Sequence, residues 1–139
     1  MINVFSYDDM KEHITSHGVS SSEFYISILS TGGPYGIPMF DASLPNVITL
    51  VFDDVSYDCI KTKLPHSSDL RLAKAMTEPQ ADDLCNFIKK IPPTSIINVH
   101  CAWGFSRSAG IAYAIENKEL TTHGNRYVHK LVKERLHEN

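Results

Sequence analysis

Two adjacent prolines, Pro92 and Pro93, stand between a segment of helical period and a run of strand residues, and this junction constrains the fold more than any other feature of the chain. Ahead of it, Ala81, Leu84, Ile88 and Ile91 recur at the spacing of one helix face. That helix has a marked start in Thr77-Glu78-Pro79-Gln80: a threonine cap, a proline in the first turn and a glutamine three residues on. Proline cannot continue it, and Ser95-Ile96-Ile97-Asn98-Val99 then reads as a buried strand. The same alternation runs through the chain. Ile2 to Phe5 alternates like a short strand, and Ser6 precedes an acidic-first stretch from Tyr7 to Ile14 that suits a capped helix. Glu23 to Leu29 is aromatic and β-branched, Val47 to Phe52 is apolar and ends at Asp53-Asp54, and Thr31 to Pro38 between them is a loop. Ile111, Ala112 and Ile115 support a helix after Arg107, and Val128, Leu131, Val132 and Arg135 lie on a last amphipathic helix. The segment from Val55 to Met76 carries no clear period. Strands interleaved with helices predict an α/β fold: a single domain over 1–139, with a mostly parallel central sheet flanked by helices.

Composition excludes several classes of function. With 139 residues, 42% hydrophobic, the chain can bury one core, and no internal repeat or long linker divides it. A net charge of −3 without blocks of like charge argues against nucleic acid as a partner. No apolar run approaches bilayer length, and Met1-Ile2-Asn3-Val4 lacks the layout of a secretory leader, so no membrane association is expected. Three cysteines, Cys59, Cys85 and Cys101, are too few and odd in number for a disulfide framework, which favours a reducing, cytoplasmic compartment. His13 and His17 would lie one turn apart on a helix, but no third ligand follows at a matching spacing and there is no Cys-x-x-Cys, so exposed histidines rather than half a metal site are expected. Gly32-Gly33 has no lysine-bearing nucleotide loop beside it and reads as a plain turn.

Chemistry concentrates in His100-Cys101-Ala102-Trp103-Gly104-Phe105-Ser106-Arg107-Ser108, between the strand ending at Val99 and the next helix. A cysteine at the carboxyl end of a parallel strand sits where α/β sheets bind ligands. Arg107, six residues on, begins a helix whose free amides point back toward the thiol. Gly104 lets the intervening amides of Ala102, Trp103, Gly104, Phe105 and Ser106 converge on one point. Amide donors, a helix start and a fork-shaped guanidinium suit a tetrahedral dianion, above all phosphate. The same field lowers the thiol pKa, so Cys101 is the candidate nucleophile on phosphorus, through a covalent phosphocysteine. Ser108 is placed to hydrogen-bond the sulfur and ease its departure, and His100 to fix the loop rather than exchange protons. Trp103 and Phe105 either line the rim of the pocket or pack beneath it. The competing account is a buried core cysteine beside a surface arginine. A cysteine with arginine six residues later arises by chance about 15% of the time in a chain with three cysteines, and the flanking His, Gly and Ser cut that by about three orders of magnitude.

This layout resembles the cysteine-dependent protein tyrosine phosphatases, and within them the small dual-specificity group. The resemblance rests on His100-Cys101, Gly104, Arg107 and Ser108, on an aspartate after an upstream strand, and on the helix between that aspartate and the cysteine strand. It covers roughly Val47 to Glu116, about half of the chain. It implies an α/β sheet flanked by helices, no cofactor, and hydrolysis of phosphotyrosine, with phosphoserine and phosphothreonine as further substrates, on a protein or peptide partner. It also implies an aspartate general acid. Leu50, Phe52 and Asp54 share one strand face and Val51 and Asp53 the other. The resemblance implies an acid two and four residues after apolar strand positions on one face, which puts Asp54 first, Asp53 second and Asp58 third. A phosphotyrosine-binding pseudophosphatase, an arsenate reductase or a sulfurtransferase are the alternatives. Relatives also suggest a protective disulfide between Cys101 and Cys59 or Cys85.

Overall fold

The computed structural model describes residues 1–55, 74–120 and 123–138. Four strands, β1 (Ile2–Phe5), β2 (Phe24–Leu29), β3 (Val47–Val51) and β4 (Ile97–His100), form one sheet in the order β1-β4-β2-β3. All three pairings are parallel, with Ile2 opposite Ile97, Phe24 opposite Ile97 and Tyr25 opposite Val47. The helices are α1 (Tyr7–His17), α2 (Glu78–Lys89), α3 (Arg107–Ile115) and α4 (Arg126–His137). The pairing is parallel because α1 and α2 return the chain to the starting edge for β2 and β4, while residues 30–46, with a single 3-10 turn at Pro34–Gly36, carry it back for β3.

Helix starts fall where the capping residues stand. Ser6 Oγ accepts from the Asp9 amide at 3.1 Å. Thr77 and Gln80 form a reciprocal capping box, with Gln80 N to Thr77 Oγ1 at 3.2 Å and Thr77 N to Gln80 Oε1 at 2.9 Å. Asn125 Oδ1 accepts from the Val128 amide at 3.0 Å. The strand expected from Ser95 begins at Ile97, because Ser95 closes a turn onto the Pro92 carbonyl at 3.0 Å. Among the described residues no helix is long and apolar enough to cross a membrane.

Strand parity sorts the core into two unequal layers. Ile26, Ile28, Ile97 and Val99 face α2, α3 and α4, whose Leu84, Ile111, Val128 and Val132 have no exposed surface. Each such side chain contributes about 1.5–3 kcal/mol through burial. The opposite face meets α1 through Met10, Tyr25 and Phe40. That second face is partly polar, and its polar groups are paired. Asn98 donates to Glu23 Oε1 at 2.9 Å and accepts from Asn3 Nδ2 at 3.1 Å, while Ser27 meets His100 at 2.6 Å. Continuing the alternation past His100 turns Cys101 toward the larger, helix-covered side, where it joins the apolar cluster.

Candidate active site

All four strands end at one edge of the sheet, and the loop from Cys101 to Ser106 lies along it. The Gly104 amide donates to Cys101 Sγ at 3.3 Å, and Ser108 Oγ lies 3.1 Å from the same sulfur. Cys101 is 1% exposed, and burial alone would push its thiol up. The hydroxyl and amide of Ser108, the Gly104 amide and the charge of Arg107 outweigh burial and hold it below its ordinary value. The surroundings of the sulfur thus favour its ionised form more than burial alone would allow.

Gly104 takes φ +84°, in the left-handed region where glycine is favoured. A Cβ there would stand 2.8 Å from the Ser6 nitrogen and 2.9 Å from the Phe5 carbonyl carbon. The loop thus presses on the turn from β1 into α1, and the Tyr7 amide, free at the helix start, donates to the Ala102 carbonyl at 3.1 Å.

Arg107 opens α3 yet is 3% exposed. Its Nη1 donates to the Phe52 carbonyl at 2.6 Å and its Nη2 to Ser30 Oγ at 3.2 Å. Its Nε is a buried side-chain polar atom with no hydrogen-bond partner among the described residues. An unpaired donor on a buried cation is costly, on the order of 1–3 kcal/mol or more, and calls for a ligand or a functional reason.

His100 lies beneath the loop with no exposed surface. Burial, aided by the Arg107 charge and opposed by the hydrogen bond to Cys101, lowers its pKa to about 4. The ring is neutral, and its partners assign the tautomer. Nδ1–H donates to the Cys101 carbonyl at 3.3 Å, and Nε2 accepts from the Ser27 hydroxyl at 2.6 Å. Tyr7 stands edge-on to the ring at 5.7 Å.

The two neighbouring aspartates have different surroundings. Asp53 Oδ1 accepts from the Thr31 amide at 3.0 Å, and its Oδ2 accepts from Thr31 Oγ1 at 2.7 Å and the Lys74 amide at 2.9 Å. Partial burial raises its pKa, but these donors and the Arg107 charge together hold it below the usual carboxylate range. Asp53 is a brace that joins three segments. Asp54 instead reaches the loop: its Oδ1 accepts from Ser106 Oγ at 2.7 Å and from Asn125 Nδ2 at 2.8 Å. Asp58 and Cys59 lie outside the described residues. Cys85 is buried with Sγ 3.8 Å from the Val132 carbonyl oxygen, and burial pushes its thiol up.

Trp103 and Phe105 are 65% and 55% exposed, so they form a rim rather than a floor. Tyr35 packs edge-on to Trp103 at 5.6 Å, and His123 edge-on to Phe105 at 6.2 Å. A separate cavity of about 290 Å³, lined by Ile2, Ile88, Ile91 and Ile97 among others, lies at the amino ends of β1 and β4 and touches none of these groups.

Sequence reasoning missed Ser30, Ser27 and Asn125. Ser27 carried a signal, as a polar residue between Ile26 and Ile28 in an otherwise apolar strand. Asn125 carried one too, as a cap residue just before the last amphipathic helix. Nothing marked Ser30. Comparison with known proteins finds no family model, no curated protein and no solved structure that matches this chain.

Proposed function

We propose that this chain is a cysteine-dependent phosphatase of the small dual-specificity type, acting on phosphotyrosine and more weakly on phosphoserine and phosphothreonine in proteins or peptides. The observation that carries the reading is a buried thiol held below its ordinary pKa beside a buried arginine whose Nε has no partner. In the first step the Cys101 thiolate attacks phosphorus, the bond to the leaving oxygen breaks, and Asp54 gives that oxygen its proton. Arg107 and the loop amides hold the remaining oxygens while charge redistributes. In the second step water attacks the phosphocysteine, Asp54 takes a proton from it, and the sulfur leaves as a thiolate that the Ser108 hydroxyl stabilises. No step calls for a metal.

The substrate class follows from the loop's charge and rim. Between Cys101 and Arg107 there is no Lys, Arg or His, so the loop itself offers no second cation to a ligand with several phosphates. Trp103 and Phe105 offer apolar contact to a phosphate carried on a ring or peptide. The test is release of inorganic phosphate from p-nitrophenyl phosphate in EDTA, followed by kcat/KM for phosphopeptides and a phosphoinositide side by side. Turnover in EDTA with phosphotyrosine peptide preferred supports the reading. A protein that binds phosphotyrosine without turnover is a pseudophosphatase, and a phosphoinositide ahead of every peptide by about tenfold, or 1.4 kcal/mol, overturns the substrate class.

A further inference from the structure

Helix α4 is remote from the cysteine loop in sequence, yet its cap residue is bonded to both the loop and the carboxylate beside it. The Asn125 amide nitrogen of the main chain donates to the Ser106 carbonyl at 3.0 Å, the same oxygen that accepts from the Gly110 amide at 2.9 Å. The starts of α3 and α4 therefore share one acceptor. Gly110 permits the approach, since a Cβ there would stand 2.9 Å from the Asn125 carbonyl oxygen. The Asn125 side chain is used at both ends, with Oδ1 accepting from the Val128 amide at 3.0 Å and Nδ2 donating to Asp54 Oδ1 at 2.8 Å. A flipped amide would set NH₂ against an N–H and oxygen against a carboxylate, so the two partners fix its orientation.

Both donors to Asp54, Asn125 Nδ2 and Ser106 Oγ, fall on Oδ1. An oxygen that already accepts two hydrogen bonds is a poor place for a proton, so the acid form of Asp54 carries its proton on Oδ2. Asp54 itself is an exposed loop residue, and a carboxyl in that setting would otherwise rotate freely. We propose that Asn125 is a positioning residue that clamps Oδ1 of Asp54 to the start of α4 and so presents Oδ2 as the proton-bearing oxygen to the leaving group. This rests on the phosphatase reading above and adds a residue to it from a helix that the sequence motif does not include.

The role separates from a merely structural one by leaving group. p-Nitrophenolate departs with little help from an acid, whereas phenolate needs its proton. Asn125→Ser keeps a cap for α4 but is too short to reach Asp54, and Asn125→Thr serves as a second capping variant should the first fail to fold. The expected result is a drop of about tenfold or more in kcat/KM for phenyl phosphate, with p-nitrophenyl phosphate changed less than about threefold. In the Asp54→Asn background the same substitution should leave the ratio of the two substrates unchanged, because the carboxyl it positions is gone. Equal losses on both substrates, or an undiminished effect in the Asp54→Asn background, overturn the positioning role and leave the phosphatase reading standing. Wild-type protein that hydrolyses neither ester overturns both.

Discussion

His100 makes the fold's stability depend on pH over a window that its surroundings define. Its ring is buried and neutral, with a pKa of about 4 against 6.5 in the unfolded chain. Between those values the unfolded state binds the proton and the folded state resists it, so stability falls as pH falls. The contribution is fully present above about 6.5, declines as pH drops toward 4, and is lost below that value. The difference amounts to about 3 kcal/mol, with a slope approaching 1.4 kcal/mol per pH unit inside the window. Asp53, whose pKa is lowered, contributes stability that is present above the ordinary carboxylate value and lost only below it, beneath most of this window. The Cys101 contribution also declines as pH falls, but a comparison with a variant that keeps Cys101 cancels it. The variant is His100→Gln, whose amide oxygen can still accept from Ser27 and which does not titrate. Urea unfolding from pH 7 to pH 4, under reducing conditions, should show wild type losing about 3 kcal/mol more than the variant. Parallel curves for the two proteins would refute a buried neutral histidine beneath the loop.

Cys101→Ser should abolish turnover of p-nitrophenyl phosphate while calorimetry still detects tungstate binding, because the loop amides and Arg107 remain; substantial residual turnover would refute the covalent route. Arg107→Lys should lose turnover as well, since an ammonium cannot reproduce the fork that meets Phe52 and Ser30. Asp54→Asn should lower kcat about a hundredfold, and more for poor leaving groups, read from kcat on phenyl and p-nitrophenyl phosphate side by side. Asp53→Asn should instead destabilise the fold by about 1–3 kcal/mol with the leaving-group dependence intact, and the reverse pattern in rate profiles and denaturant melts would exchange the two roles. Gly104→Ala should cost upward of about 1–2 kcal/mol from its positive φ alone, with the clash at Ser6 added, which a thermal melt reads directly.

Local signals in the sequence were sufficient for most elements, because α1, α2 and α4 each begin at a capping side chain beside an apolar stripe and each strand has a run of β-branched or aromatic residues, whereas α3 has no side-chain cap. Ser6, Thr77 and Pro92 mark boundaries that hold in the folded chain to within a residue or two. The order β1-β4-β2-β3 was not legible in the same way, since strand neighbours depend on how helices cross the sheet. Within the site, the residues of the contiguous segment from His100 to Ser108 were legible as a group, because one loop places them together. Ser30, the Phe52 carbonyl and Asn125 reach Arg107 and Asp54 from segments 77, 55 and 71 residues away, and only the closed fold brings them there. Parity along β3 set Asp54 apart from Asp53, and the physical contrast between them lies in partners: three donors on one carboxylate, and the loop itself on the other.

Arg107 explains why so short a loop can rely on a single cation. Burying a guanidinium is expensive unless its donors are met, and here the Phe52 carbonyl and the Ser30 hydroxyl take one donor from each terminal nitrogen. A head pinned at Nη1 and Nη2 cannot swing, so the direction of its Nε donor is set by the ends of β2 and β3 before any ligand arrives. That is preorganisation achieved with neutral acceptors, which leaves the positive charge largely available to an incoming anion. A second cation between Cys101 and Arg107 would repel the guanidinium in the unliganded protein and would lack those acceptors. In the proposed reaction, the consequence is selectivity for one phosphate at a time. Within the loop from Cys101 to Arg107, each further negative charge on a substrate meets only amide dipoles, whose reach is short.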